Sequence, residues 1–559
     1  MKKRLILFSA ILLLGMFLFH SCVDDPVNLG NVVEVENNIT KSSTWYADSV
    51  YVIDGAVYVG GGAIITILPG TVIKFNAGAS LSFGSDNNAT ILARGTAQKP
   101  ITFTSNAPSP VAGAWDGLYF YDHTLQNSVL KNCNIEFAGG KNSAALNLYG
   151  SDIAIDSCTI SKSAHAGIMA TYADGKGGFV SFKNNTFADI AGVDVEINVN
   201  KISAIAKENA FTKAVSISGY YESTAPRTWR KLNVPYVVNE QITIDGDLTI
   251  EAGTVFRFGA MGYMTMGMDK STKLTAVGTS TEPILFTSDA PSPAAGAWRG
   301  LEFYNNTQSN TTLSYCVVEY AGKTYTEAIV LYNTSINFTW STVRNCSDMA
   351  FNLSHDAGFT SFHNNTIAVP GHIMTIRSQF LSDLGVPNTL TPGPNKGIDV
   401  YSSGSYPAAR VWKKQIGADF YVDDYIHVEG NLTIEPGCTF KMGANGYFIL
   451  GSETVTTFRA VGDVNNPITF TSAAPSPAPG SWAGIEFHSG CISSTTFDYC
   501  IFNYGGKANS STLRAYSTSA LTINNSQINN HGGAEPKALR ENECTVLGGT
   551  GNNFTWTVN

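Results

Sequence analysis

A chain of 559 residues is too long for one ordinary globular core, so several domains or a repeat array are expected. Only 14% of residues are charged against 43% apolar, and 53 glycines accompany frequent Asn, Ser and Thr, a mixture that suits short strands and turns rather than helices or disorder. The formal net charge of -9, with no Lys/Arg-rich block beyond the first four residues, argues against a nucleic-acid partner, which needs a basic stripe.

The amino terminus reads as an export signal. Lys2, Lys3 and Arg4 precede an apolar run, Leu5 to Phe19, and His20 and Ser21 then lead to Cys22. A small residue before a cysteine directly after the apolar run resembles the lipobox of bacterial lipoproteins, although Phe19 stands where Leu is usual. The resemblance implies cleavage of residues 1–21 and a lipid on Cys22. No second long apolar run is present, so the lipid would be the membrane anchor. Residues 22–43 form a polar tether and N-terminal cap that is acidic at its start. Acidic residues just behind the cysteine resemble the signal that sends some Gram-negative lipoproteins to the outer face of the outer membrane.

A repeated sentence follows. "ITFTSNAPSPVAGAWDGLYF" (Ile101 to Phe120) returns as "ILFTSDAPSPAAGAWRGLEF" (Ile284 to Phe303) and "ITFTSAAPSPAPGSWAGIEF" (Ile468 to Phe487). Trp115, Trp298 and Trp482 are 183 and 184 residues apart, and Gly70, Gly253 and Gly437 keep the same spacing. Trp45, Trp229 and Trp412 open the copies. Three tandem modules of about 183 residues are expected, over residues 44–227, 228–410 and a shorter 411–559. Within them runs a finer period in the mid-twenties. Cys133, Cys158, Asn185 and Asn209 recur at it, as do Cys316, Ser341 and Asn365, and then Cys500 and Ser526.

Such a period, made of short strands and turns, is one turn of a coil. Alternate strand residues share a face, and one coil alone buries no apolar side, so successive coils must stack into ladders. The expected fold is an all-β parallel β-helix of on the order of 20 coils, about 100 Å long. The pattern "LTIEPGxxF…LxAxGTxxxPIxFTS…GxWxGIxF" also resembles right-handed parallel β-helix repeat proteins of bacterial surfaces, within the pectate-lyase-like superfamily and on its non-catalytic side. In this arrangement Phe103, Phe286 and Phe470 stack inward. The "APSP" loops (Pro108, Ser109, Pro110; Pro291, Ser292, Pro293; Pro475, Ser476, Pro477) leave the coil, because proline donates no ladder hydrogen bond. The glycine and tryptophan that follow bring the chain back.

Nine cysteines occur without any Cys-x-x-Cys. Besides Cys22 they read as small buried thiols in the interior ladder, with a bridge between neighbouring coils as the alternative. The nine histidines, among them His123, His165 and His355, lack metal-ligand spacing. Many parallel β-helix proteins cleave polysaccharides with carboxylates on an outward strand face. The best pair here is Asp194 and Glu196 in "GVDVEI", expected outward together at roughly 6.6–7 Å. No third acid or guanidinium joins them. No cofactor is expected. Ca²⁺ is the one ion with a candidate place, the turn Asp245 to Asp247, which otherwise reads as a tight turn.

Two features speak for binding. "APSP" is unchanged in all copies, and loop identity hints at use where recent duplication does not explain it. Tyr119, Tyr121, Tyr263, Tyr304 and Tyr447 are placed to lie outward and stack on sugar rings. The preferred reading is a non-catalytic, lipid-anchored surface rod presenting a face to glycan, another cell or a partner protein. The alternative is a polysaccharide lyase or glycoside hydrolase using Asp194 and Glu196. The closing "FTWTVN" suggests a further role, in which the last coil's open edge is covered by a partner or a second copy.

Overall fold

The computed structural model describes residues 31–171, 176–222, 225–323, 327–402, 409–507, 511–516, 520–533, 537–538, 545–547, 549–554 and 557–558. Cys22 and the segment before it lie outside these residues, as does Cys544. No helix among the described residues is long and apolar enough to cross a membrane.

The strands wind in successive turns about one axis, giving a parallel β-helix. One turn runs through Ala89–Arg94, Ile101–Ser105 and Gly117–Tyr121, one strand on each of three faces, and the next through Val129–Lys131, Cys133–Glu136 and Leu146–Tyr149. Each strand pairs in parallel with its counterpart in the next turn. Two 3-10 turns, Val199–Ala204 and Ser378–Asp383, interrupt the strands.

Alternation decides what enters the core. Ile73, Phe103, Ile135, Ile160 and Phe187 pile up fully buried on one face. Further along, Phe256 stacks on Phe286 at 5.3 Å, and Phe440 on Phe470 at 5.1 Å. Each such ring contributes about 1.5–3 kcal/mol by leaving water, but only because a neighbouring coil covers it.

The small-polar column is present as a hydrogen-bonded stack. Cys133 and Cys158 hold neighbouring places in it on adjacent turns, the Cys133 thiol against the Ala93 carbonyl and the Cys158 thiol against the Leu130 carbonyl. The Cys158 N–H donates to Asn185 Oδ1 at 2.9 Å, and the Asn185 N–H to Asn209 Oδ1 at 2.9 Å. The next repeat runs Cys316 to Ser341 to Asn365 to Asn388, and the last Cys500 to Ser526 to Asn552. These side chains accept the backbone N–H groups of the turn before them, donors that would otherwise be buried without a partner. The seven described cysteines are buried free thiols, and burial pushes Cys133, Cys316 and Cys500 up from the usual thiol range.

The repeated sentence has a structural explanation in part. Ser105, Ser288 and Ser472 each accept the N–H two residues on, which starts the loop. Trp115, Trp298 and Trp482 re-enter fully buried, each donating its indole N–H to a carbonyl 21 residues later, at Glu136, Glu319 and Asn503. Trp115 stacks on Phe75 at 3.9 Å and Trp298 on Phe258 at 4.0 Å. The glycine two residues after each tryptophan is needed because an added Cβ at Gly117, Gly300 or Gly484 would sit 2.5–2.6 Å from a carbonyl oxygen of the next turn. Nothing comparable fixes the prolines and serine between: Pro108, Ser109, Pro291, Ser292, Pro475 and Ser476 are exposed, and Pro110, Pro293 and Pro477 half-buried.

The columns do not follow the repeats in simple register. Val215–Glu222 changes partners at Gly219, whose φ of +94° is one that residues with a side chain rarely adopt. Its first half continues the face of Val195–Asn198 and then carries Tyr236–Val238, which is equivalent to a strand of the preceding face in the earlier repeat. Its second half starts a new column under Gln241–Asp245. Ile398–Tyr401 likewise passes its face on to Phe420–Val422, while Tyr425–Val428 lies on a further column. Equivalent strands of successive repeats therefore stand one face further round the rod.

Candidate functional site

The carboxylate pair expected on one face is not assembled. Glu196 does lie outward between Met169 and Ser216, half-buried, and burial raises its carboxyl above the usual range. Asp194 is fully buried. It accepts the N–H groups of Thr212 and Lys213, both at 2.7 Å, and the Thr212 hydroxyl at 3.2 Å. The strand begins at Val195, so its alternation does not reach back to Asp194, which instead ties down the turn of the next coil.

The acidic turns have a similar structural use. Asp245 accepts the N–H groups of Asp269 and Lys270. At the equivalent position Glu429 accepts those of Ser452, Glu453 and Thr454. Among the described residues no group of three or more His, Cys, Asp or Glu side chains is placed to hold a metal ion.

What the outward faces do assemble are pairs of rings. Tyr121 and Tyr149 occupy partner positions on adjacent coils with centroids 5.6 Å apart. Tyr119 joins them at 6.3 and 6.0 Å. Tyr58 stands in the column of Tyr119, two strands away and 41% exposed. An ion pair borders the group, Lys141 Nζ lying 2.6 Å from Asp116 Oδ2. Burial raises the phenols of Tyr119, Tyr121 and Tyr149, so they remain hydroxyl donors at neutral pH. Just past Tyr121 and Tyr149, a polar cleft of about 180 Å³ is lined by Asp122, Gln126, Ser151, Asp152 and Lys201 among others. Lys201 there reaches both carboxylate oxygens of Asp152.

The same strand position carries a ring pair in each later copy. Tyr304 stacks on Tyr332 at 5.1 Å, and Glu302 beside them accepts from Arg299 at 2.7 Å and from the Tyr304 hydroxyl at 2.9 Å. The Arg299 guanidinium in turn covers Tyr263 at 3.9 Å. In the last copy His488 stacks on Tyr516 at 4.8 Å, beside Glu486, which lies 2.6 Å from Arg514 and 3.4 Å from His488. Tyr447, equivalent to Tyr263, neighbours Tyr425 at 5.8 Å. The rings are kept while the ion pair is rebuilt from different residues. Sequence reasoning found Tyr119, Tyr121, Tyr263, Tyr304 and Tyr447 but missed Tyr149, Tyr332, Tyr516, His488, Glu486 and Arg514. The signal available was a constant spacing of 28 residues from Tyr121 to Tyr149, Tyr304 to Tyr332 and His488 to Tyr516.

Chemically, half-buried outward rings offer a flat apolar surface fitted to the C–H face of a pyranose, and the adjoining acid, guanidinium and ammonium groups offer partners for its hydroxyls. A family model described as a pectate-lyase-like β-helix domain matches residues 37–162 and 223–335. No curated protein and no solved structure matches the chain. The two matched stretches and the stacked parallel strands together give this chain a pectate-lyase-like parallel β-helix fold.

Proposed function

We propose that this protein is a lipid-anchored β-helix rod, displayed on the surface of a Gram-negative outer membrane, that holds glycan on its outward ring pairs without cleaving it. The observation that carries the reading is the recurrence of a stacked pair, Tyr121–Tyr149, Tyr304–Tyr332 and His488–Tyr516, at one strand position while the surrounding charges change. Packing alone gives no reason for rings at three half-exposed positions whose neighbours vary. The lipid on Cys22 and the surface location rest on the leader and the acidic tether of the sequence.

Affinity gel electrophoresis of the mature chain in polygalacturonate, xylan, mixed-linkage β-glucan and mannan tests this. At least one polysaccharide is expected to retard it. Replacing one ring of each pair, Tyr149→Ser, Tyr332→Ser and Tyr516→Ser together, is expected to weaken binding about tenfold, from roughly 0.5–1.5 kcal/mol per ring contact. Free migration in every gel, or unchanged retardation of the folded triple variant, contradicts the proposal.

A second reading, a polysaccharide-cleaving enzyme, is favoured by the Glu486, Arg514 and His488 group, which places an acid, a cation and an imidazole together. Shortened or unsaturated products from the same polysaccharides, abolished by Glu486→Gln, would establish it over the first.

A further inference from the structure

We infer that the rod binds separate glycan chains in different directions and so cross-links them, rather than lying along a single chain. The inference rests on the ring pairs being glycan subsites, and its own content comes from the strand register.

Tyr119 belongs to a column that runs through Asn147, Met169, Glu196, Ser216, Val237, Arg257 and Thr287. The second ring pair is not on it. Glu302 and Tyr304 lie on the column that began beneath Gln241–Asp245 at the second half of Val215–Glu222. That column passes in turn through Asp399, Tyr421 and Lys441 to Thr471. The third pair is on neither, because Glu486 and Arg514 follow from Tyr425–Val428 and Tyr447–Leu450. From Tyr119 to Thr287, which shares its turn with Glu302, there are seven strand steps, and from Glu302 to Thr471, in the turn of Glu486, another seven. The ring pairs are thus about 34 Å apart along the axis, each one face further round.

A stiff polysaccharide stacked on Tyr121 and Tyr149 and following the column of Tyr119 meets Met169, Glu196 and then Arg257, Glu319 and Arg344, while the Tyr304–Tyr332 and His488–Tyr516 pairs lie on other columns. A chain crossing the rod meets one pair as well. One protein can therefore hold chains pointing in different directions, the geometry of a multivalent cross-linker.

Two measurements test this on whichever of the four polysaccharides retards the protein most. Titration calorimetry of the unmodified mature chain with a short oligosaccharide of that polymer is expected to give more than one site per protein. Light scattering with the long polymer is expected to rise to a maximum and fall again as protein is added in excess. A variant keeping only the third pair (Tyr121→Ser, Tyr149→Ser, Tyr304→Ser and Tyr332→Ser) is expected to remain retarded in the gel while scattering stays at the level of polymer alone. One site per chain, or a clear solution at every ratio despite retardation, overturns the inference and leaves the glycan reading standing. Free migration in all four gels removes both.

Discussion

Trp298→Ala is expected to destabilise the middle of the rod by about 3–5 kcal/mol, the usual range for deleting a large buried aromatic. The indole is fully buried, stacked on Phe258 at 4.0 Å, and donates to the Glu319 carbonyl at 2.8 Å. Alanine removes the contact area, opens a cavity that stacked strands on either side hold open, and leaves the carbonyl without its donor. Each coil is held mainly by its neighbours, so the loss should be local. In urea, hydrogen exchange should show the coils around Trp298 opening at lower denaturant than the same coils of the unmodified protein, with distant coils little changed. A variant with unaltered exchange there would mean that the tryptophan does not fasten the loop to the coil.

Glu429→Ala is expected to be comparably harmful for a different reason. The Glu429 carboxylate has no side-chain exposure and accepts the N–H groups of Ser452, Glu453 and Thr454 at 2.8–3.0 Å, together with the hydroxyls of Ser452 and Thr454. Alanine leaves three amides without an acceptor, at about 3 kcal/mol or more in total. The same contacts set a pH dependence. Burial raises the Glu429 carboxyl, but the donors outweigh it and hold the group below the usual carboxylate range. The unfolded chain therefore takes up its proton first as pH falls. The stabilisation is complete above the ordinary glutamate value of about 4.3 and is lost as pH drops through the lower folded value. Chemical denaturation between neutral pH and pH of about 3 should show this loss in the unmodified protein and a smaller one in Glu429→Gln. Equal slopes would assign the acid sensitivity elsewhere.

The stacking was legible in the sequence because it depends on a period and on a few side chains that must repeat. Cys133, Cys158 and Asn185 recur at the coil length since each meets the backbone of the turn before it, and that demand is the same in every coil. Phe103, Phe286 and Phe470 were legible for the same reason. Asp194 was misplaced because alternation was extended one residue beyond the strand start, and only the turn at Thr212 and Lys213 shows what the acid is for. Asp245 and Glu429 look like turn residues locally, while their partners lie 23 to 25 residues on. The shift of columns at Val215–Glu222 leaves a single trace, Gly219, and its consequence appears only when strands are paired. The ring pairs were half visible: one member of the first two directly follows the repeated sentence, but the partners come from the next coil, where no local pattern marks them.

Everything described depends on coils about two dozen residues long lying directly on one another. Electron–electron spin resonance distances provide the most direct measurement, with nitroxides attached through Val72→Cys and Thr186→Cys, since the seven described native thiols are buried. Val72 and Thr186 are joined in one outward column through Thr102, Asn134 and Thr159. The stack predicts a narrow distribution near four strand spacings, about 19 Å, extended only by the reach of the labels. A broad distribution, or a mean far longer than this across the 113 intervening positions, would contradict the stack and everything built on it.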